Sequence, residues 1–236
     1  MNIRNNIDTV TENIKRACES SGRSDDSVKL IAVSKTKPLS DIYEASQAGI
    51  TDFGENYVQE ILEKYPLMPE GTRIHMIGHL QTNKVKKVID KVCMIHSVDS
   101  VRLAEVISKE TQKRGITMDI LLEVNIADEP SKYGFAPQEL IPSALLMLGF
   151  PKLRIKGLMT SAPITDDGEK NRIYFRRMSG LLSELRTALS KTGIPLAELP
   201  SELSMGMTDD YEAAIMEGST MVRVGTAIFG AREYNK

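Results

Sequence analysis

Eight short apolar runs, most of them followed by a stretch of helical periodicity, set narrow limits on what this chain can fold into. The strand-like runs fall near 29–35, 52–56, 73–80, 93–99, 119–125, 155–160, 202–206 and 221–229. Amphipathic stretches separate them at Leu39–Ala48, Tyr57–Tyr65, Asn83–Ile89, Val101–Lys113, Pro137–Leu148, Gly168–Lys191 and Asp209–Glu217. Strand and helix in alternation predict a parallel sheet, because a parallel partner is reached only by a crossover. Eight such units in about 200 residues predict an α/β fold, a single (β/α)8 TIM-like barrel. A Rossmann sheet fits less well, since no Gly-x-Gly-x-x-Gly follows the first run. An extra N-terminal helix is predicted from Ile3, Ile7, Val10, Ile14 and Ala17, ending near Ser21-Gly22. With no composition break or linker, residues 1–236 read as one domain.

The chain is 41% hydrophobic but only 5% aromatic and has no Trp, so its core is aliphatic, as buried parallel strands require. A net charge of -2 supplies no field for nucleic acid, and Lys84, Lys86, Lys87 and Lys91 read as a solvated helix face. Two cysteines suggest neither a disulfide framework nor a metal site. Met1-Asn-Ile-Arg-Asn-Asn lacks a signal-peptide core, and no run is long enough to span a membrane. A soluble, cytoplasmic protein is expected.

In such barrels chemistry sits at the carboxyl ends of the strands. Those ends give Lys35, Glu55-Asn56, Gly78-His79-Leu80, Ser97-Val98-Asp99, Asn125, Met159-Thr160-Ser161, Ser204-Met205-Gly206 and Gly225-Thr226. The list is small and polar and holds one amine. Lys35 follows an apolar run stopped by Thr36-Lys37-Pro38, and Pro38 cannot continue a ladder. A lysine there is either a surface residue or a desolvated amine able to form a Schiff base. The glycines and hydroxyls after runs seven and eight suit a phosphate, or else simply cap the following helices through Thr208 or Asp209. A sugar-phosphate aldolase and a pyridoxal phosphate protein both fit a strand-end lysine beside a phosphate.

Five motifs narrow the choice: Ala32-Val33-Ser34-Lys35-Thr36-Lys37-Pro38, Phe53-Gly54-Glu55-Asn56-Tyr57-Val58-Gln59-Glu60, His75-Met76-Ile77-Gly78-His79-Leu80-Gln81-Thr82-Asn83-Lys84, Leu203-Ser204-Met205-Gly206-Met207 and Val222-Arg223-Val224-Gly225-Thr226-Ala227-Ile228-Phe229-Gly230. In order and without departure, they resemble the YggS/PROSC family of pyridoxal phosphate homeostasis proteins, from the opening helix to Phe229-Gly230-Ala231-Arg232. The resemblance implies an alanine-racemase-type barrel that binds pyridoxal 5′-phosphate (PLP). It implies that Lys35 holds the cofactor as a Schiff base and that Asn56 lies beside the ring. It further implies that Ser204, Gly206, Gly225 and Thr226 hold the phosphate and that Arg223 faces the ring nitrogen.

A guanidinium can only donate, so it favours an unprotonated pyridine and a poor carbanion sink. Arg223 could instead be paired with a carboxylate inside the barrel. Racemisation needs a second base, which alanine racemase draws from another domain and subunit, and 236 residues leave no room for that domain. The expected function is therefore PLP binding without a catalytic cycle, in intracellular PLP (vitamin B6) homeostasis and amino-acid balance. A small PLP-dependent amino-acid racemase is the alternative. The aldolase lacks an acid–base pair near Lys35. The expected partners are PLP and, transiently, PLP-dependent apo-enzymes, with the chain itself a monomer.

The remaining residues have structural readings. His79 and Tyr57 are the in-barrel candidates for a base, with His79 read as a satisfied polar residue. His75 and His96 read as core, and Met159, Met205 and Met207 as packing residues. Lys37 and Lys132 read as exposed lysines, and Arg172, Arg176 and Arg177 as a solvated helix face.

Overall fold

The computed structural model describes residues 2–165 and 167–231; Arg232, the last motif residue, lies outside them. Eight parallel strands close into a barrel: β1 (Lys29–Val33), β2 (Asp52–Glu55), β3 (Arg73–Met76), β4 (Met94–Val98), β5 (Met118–Glu123), β6 (Leu153–Met159), β7 (Glu202–Ser204) and β8 (Met221–Val224). Each pairs with the next in sequence, and β8 returns to β1 with Ile31 opposite Arg223 and Ala32 opposite Val224. Closure leaves no unpaired edge.

The helices that cover the barrel are α2 (Leu39–Gln47), α3 (Val58–Lys64), α4 (Val85–Val88), α5 (Val101–Arg114), α6 (Leu140–Met147), α7 (Arg172–Ser190) and α8 (Tyr211–Met216). Outward strand residues such as Ile74, Ile95, Ile120 and Leu158 pack against them in one continuous apolar layer. Inward, Ile31, Met94, Leu121, Met159 and Met221 form a smaller plug. Before β1 runs α1 (Ile3–Ser20), whose first turn is capped by the Asn2 side chain accepting from the Asn5 N–H. Its buried face of Ile3, Ile7, Val10 and Ile14 packs with Val222, Val224, Ile228 and Phe229, over the seam where β8 meets β1. Each such side chain contributes up to about 1.5–3 kcal/mol by burial.

Two runs fall furthest short, as strands, of what the sequence predicts. The run near 73–80 leaves the sheet after Met76, and the run near 221–229 turns at Gly225 into α9 (Thr226–Phe229). A short apolar run suits a buried strand or a buried helix turn equally well. Packing decides here, because Ile228 and Phe229 sit beneath α1. Among the described residues no helix is long and apolar enough to cross a membrane.

Candidate functional site

A cavity of about 310 Å³ opens at the carboxyl ends of the strands. Lys35, Asn56, Arg223, Gly225 and Thr226 all line it, so the structure brings five of the seven sequence-predicted residues to one place. Lys37, Ser161 and Thr208 line it as well.

Lys35 stands on a tight turn beyond β1. The Ser34 N–H donates to the Gly54 carbonyl at 3.1 Å, extending the ladder, and the Lys37 N–H donates to Ser34 O at 3.1 Å. Between them Thr36 is left-handed, with φ 62, a rare conformation for a β-branched residue. A buried ionic cluster holds it there. The Thr36 N–H donates to Glu60 Oε2 at 2.7 Å, and the Lys64 ammonium donates to Glu60 Oε2 (2.6 Å), Glu55 Oε1 (2.8 Å) and Ser34 O (2.8 Å). All three Lys64 donors are engaged, and the Ser34 hydroxyl adds a bond to Glu55 Oε1 at 2.7 Å. Burial pushes the Glu55 carboxyl above its usual range, against the pull of Lys64. Lys64 and Glu60 are not among the sequence-predicted site residues; their i,i+4 spacing was the available signal.

Arg223 enters the cavity wall from β8 and is 4% exposed. Its Nη1 donates to Ser204 O and Ser204 Oγ, both at 2.7 Å, and its Nη2 to Thr160 O at 2.9 Å. None of these partners is a carboxylate. Burial lowers its pKa to about 10, with Asp210 and Glu123 opposing, so it stays cationic at neutral pH.

Ser204 and Gly206 do not line the cavity. The Ser204 hydroxyl is fully buried behind Arg223 and bonds His96 Nδ1 at 2.9 Å. Gly206, at φ +91, lets the chain turn tightly onto α8, where a Cβ would lie 2.6 Å from Ala214 Cβ. Its carbonyl accepts the Arg223 backbone N–H at 3.0 Å. On this side of the cavity the lining hydroxyl is that of Thr208, which accepts from the Gly225 and Ala227 N–H groups at 3.4 Å each. Asn56 is held by close approach: a Cβ on Gly78 would lie 2.4 Å from Asn56 O.

These residues fit a phosphorylated aldehyde. Among the described residues the buried Asn56 Oδ1 has no hydrogen-bond partner, and Asn56 lines the cavity. Gly225 leaves its side of the cavity open, with Val33 as the nearest neighbour of a notional Cβ at 3.4 Å. Hydroxyls of Thr208 and Thr226 stand beside it, and Lys35 and the cationic Arg223 occupy other parts of the wall.

The other candidates are committed elsewhere. His79 Nδ1 lies 3.0 Å from Asp99 Oδ2, and its ring stacks on Tyr133 at 3.7 Å. Tyr57 is exposed and lines a neighbouring cleft. Lys37 is not a solvated lysine: its ammonium donates to Phe229 O (2.8 Å) and Ala231 O (3.1 Å). Lys132 pairs with Glu129 at 2.8 Å. Arg176 and Arg177 lie on an exposed helix face, and Arg172 and Arg176 also bind Glu217, which ties α7 to the end of α8. Met159 and Met205 are core residues, whereas Met207 is partly exposed at the cavity.

Glu123, at the end of β5, has a buried Oε2 without a hydrogen-bond partner among the described residues. Burial, then the nearby Asp99, push its pKa from 4.5 up to about 7, with Arg223 opposing. A raised carboxyl destabilises the fold as pH climbs, because the unfolded chain gives up its proton first. Glu123→Gln is therefore expected to raise stability at pH 8 by roughly 2–3 kcal/mol, with little effect below pH 4.5. Denaturant melts at the two pH values check this; an equal effect at both refutes it.

Two sets of similarities accompany this geometry. The family described as alanine racemase, N-terminal domain, matches residues 6–233. The pyridoxal phosphate homeostasis protein of Pasteurella multocida is 41% identical over 239 residues, covering 100% of both chains. This chain belongs to that family. PipY of Synechococcus elongatus PCC7942, solved with PLP bound, superposes with a TM-score of 0.79 at 32% identity, covering 92% of this chain and 100% of PipY. An alanine racemase of Clostridium difficile 630 shares the fold, with a TM-score of 0.71 at 17% identity, over 99% of this chain but 58% of the racemase.

Proposed function

We propose that this protein binds PLP through Lys35 and has no catalytic cycle of its own, serving intracellular PLP (vitamin B6) homeostasis. Asn56 lies beside the ring, Thr208, Gly225 and Thr226 hold the phosphate, and Arg223 faces the ring nitrogen. Residues 1–236 act as one PLP-binding barrel domain, monomeric and cytoplasmic, that hands cofactor transiently to PLP-dependent apo-enzymes. The PLP bound to PipY and the name of the Pasteurella relative support this reading.

The observation that carries it is Arg223, a buried cation held by two carbonyls and by the hydroxyls of Ser204 and Ser161 in the wall of the cavity. Bound PLP supplies an aldehyde for amines and a ring that can accept electrons. A donor-only group at the ring nitrogen keeps that nitrogen unprotonated and weakens the sink. The alternative, a small amino-acid racemase, shares the barrel, and alanine racemases tolerate such an arginine. It also needs a base opposite Lys35, and His79 and Tyr57 line the neighbouring cleft and not the cavity that Lys35 lines.

Purified protein mixed with PLP and a panel of amino acids should bind the cofactor yet leave L-alanine unracemised and undecarboxylated. Turnover above roughly 1 s⁻¹, the low end of ordinary enzyme rates, would favour the racemase. Gly225→Val tests the phosphate turn. A Cβ fits there at ordinary contact distance and φ is -115, so the variant should fold while its side chain intrudes on the cavity. PLP affinity should fall at least tenfold, ~1.4 kcal/mol; unchanged affinity in the folded variant would move the phosphate elsewhere.

A further inference from the structure

We propose that Asp52, His75, His96 and Ser204 are positioning residues for Arg223, forming a single file of hydrogen bonds across the barrel interior that fixes the guanidinium as a donor into the cavity. This rests on the reading that PLP occupies that cavity.

The file is continuous. Arg223 Nη1 meets Ser204 Oγ at 2.7 Å, Ser204 Oγ meets His96 Nδ1 at 2.9 Å, His96 Nε2 meets His75 Nδ1 at 2.9 Å, and His75 Nε2 meets Asp52 Oδ1 at 2.8 Å. All five side chains are 0–4% exposed. At the far end Arg73 (2.6 Å) and Thr51 (2.8 Å) donate to Asp52 Oδ2, and Lys29 lies 3.7 Å from Oδ1.

Its chemistry permits one polarity. A guanidinium only donates and a carboxylate only accepts. The Asp52 carboxyl is held well below its usual range: burial opposes this, but the bonds from His75, Arg73 and Thr51 prevail. Burial lowers both imidazoles, His96 furthest, so each is neutral with one donor and one acceptor. His75 must then donate from Nε2 to Asp52, His96 from Nε2 to His75, and the Ser204 hydroxyl to His96. The lone pair left on Ser204 can only accept from Arg223. Reversing any one bond leaves an acceptor facing an acceptor, in the end a bare His75 Nε2 against the Asp52 carboxylate.

Interiors of such barrels are ordinarily filled by branched aliphatic side chains. Replacing a buried polar set by well-packed apolar groups is often neutral or stabilising, so stability does not explain this file. It does explain why Arg223 keeps one orientation with no carboxylate against it. Lys29 and Arg73 face the Asp52 end, and Asp210 and Glu123 act on the Arg223 end.

Histidine NMR tests the file without cofactor. The wild-type protein should show both imidazoles as Nε2–H tautomers at neutral pH, each protonating only below the ordinary imidazole range; a mixed pair, or one that titrates at or above that range, overturns the polarity. With ¹⁵N-labelled PLP, the ring nitrogen should show the shift of a hydrogen-bonded, unprotonated pyridine. In Asp52→Asn and Ser204→Ala it should move toward the free, unprotonated value, while PLP affinity falls three- to tenfold. If Asp52→Asn does not fold, Ser204→Ala carries the comparison, since it removes one hydroxyl and leaves Ser204 O and Thr160 O as anchors. Folded variants with the wild-type nitrogen shift overturn the proposal. Locked histidines in a protein that binds no PLP would instead defeat the cofactor reading and, with it, this role.

Discussion

Lys35→Ala is expected to abolish covalent retention of PLP and to weaken its binding by about a hundredfold, ~2.8 kcal/mol. The amine sits on a turn fixed from below by Glu60 and Lys64 and opens onto the cavity shared with Asn56 and Arg223. The other lysine in that wall, Lys37, is tied to Phe229 O and Ala231 O and is held away from the same role. Borohydride reduction of the wild-type complex should fix a phosphopyridoxyl mass on the peptide containing Lys35, and the variant should carry none there. Label confined to Lys37 or Lys132 in the wild-type protein would remove Lys35 from its role. The variant should remain folded, because the Ser34 and Lys37 backbone N–H groups and the Thr36 N–H bond to Glu60 hold the turn.

Lys64→Met should be the most destabilising single change near the site, costing about 3–5 kcal/mol, the range for removing one partner of a buried ion pair. It leaves Glu55, 1% exposed, with a carboxylate that among the described residues keeps only the Ser34 hydroxyl. The sign with pH follows. Glu55 already has a folded pKa above 4.5, and losing Lys64 raises it further. The deficit should be small below about pH 4.5, where the group is protonated in both states, and should grow as pH rises. Glu55→Gln in the same background should recover most of it. Urea titrations at pH 4.5 and pH 8 decide the matter: a loss below 1 kcal/mol, or one independent of pH, would show that the cluster is not the clamp described here.

The barrel was legible because parallel strands buried on both faces read as short apolar runs, and eight of them alternate with helical periodicity. Lys35, Asn56, Arg223, Gly225 and Thr226 were legible because strand ends in this fold face one cavity. Ser204 was misplaced for a physical reason. A hydroxyl at a strand end looks the same in sequence whether it faces the cavity or the interior beneath it; here it faces the interior, and Thr208, four residues on, reaches the cavity. The histidine file was beyond sequence reasoning altogether. Its links join residues 23, 21, 108 and 19 positions apart, and only closure of the barrel makes them neighbours. The left-handed Thr36 had no local signal either, since its conformation is imposed by Glu60 through space.

The placement of α1 has a consequence for how the chain is made. Ile42 and Ala45 of α2 cover part of its apolar face, but the rest is covered by residues near the other end of the sequence, and its polar side is tied there as well, through Asn6 to Ile228 O and Asn13 to the Tyr211 hydroxyl. The ribosome produces α1 first and those partners last. At roughly 5–20 residues per second, Ile3, Ile7, Val10 and Ile14 wait about 10–40 s for the surface that buries them. Through that interval the nascent chain carries an exposed amphipathic helix, a natural handle for chaperones, and only the arrival of the final strand and its flanking helices releases it.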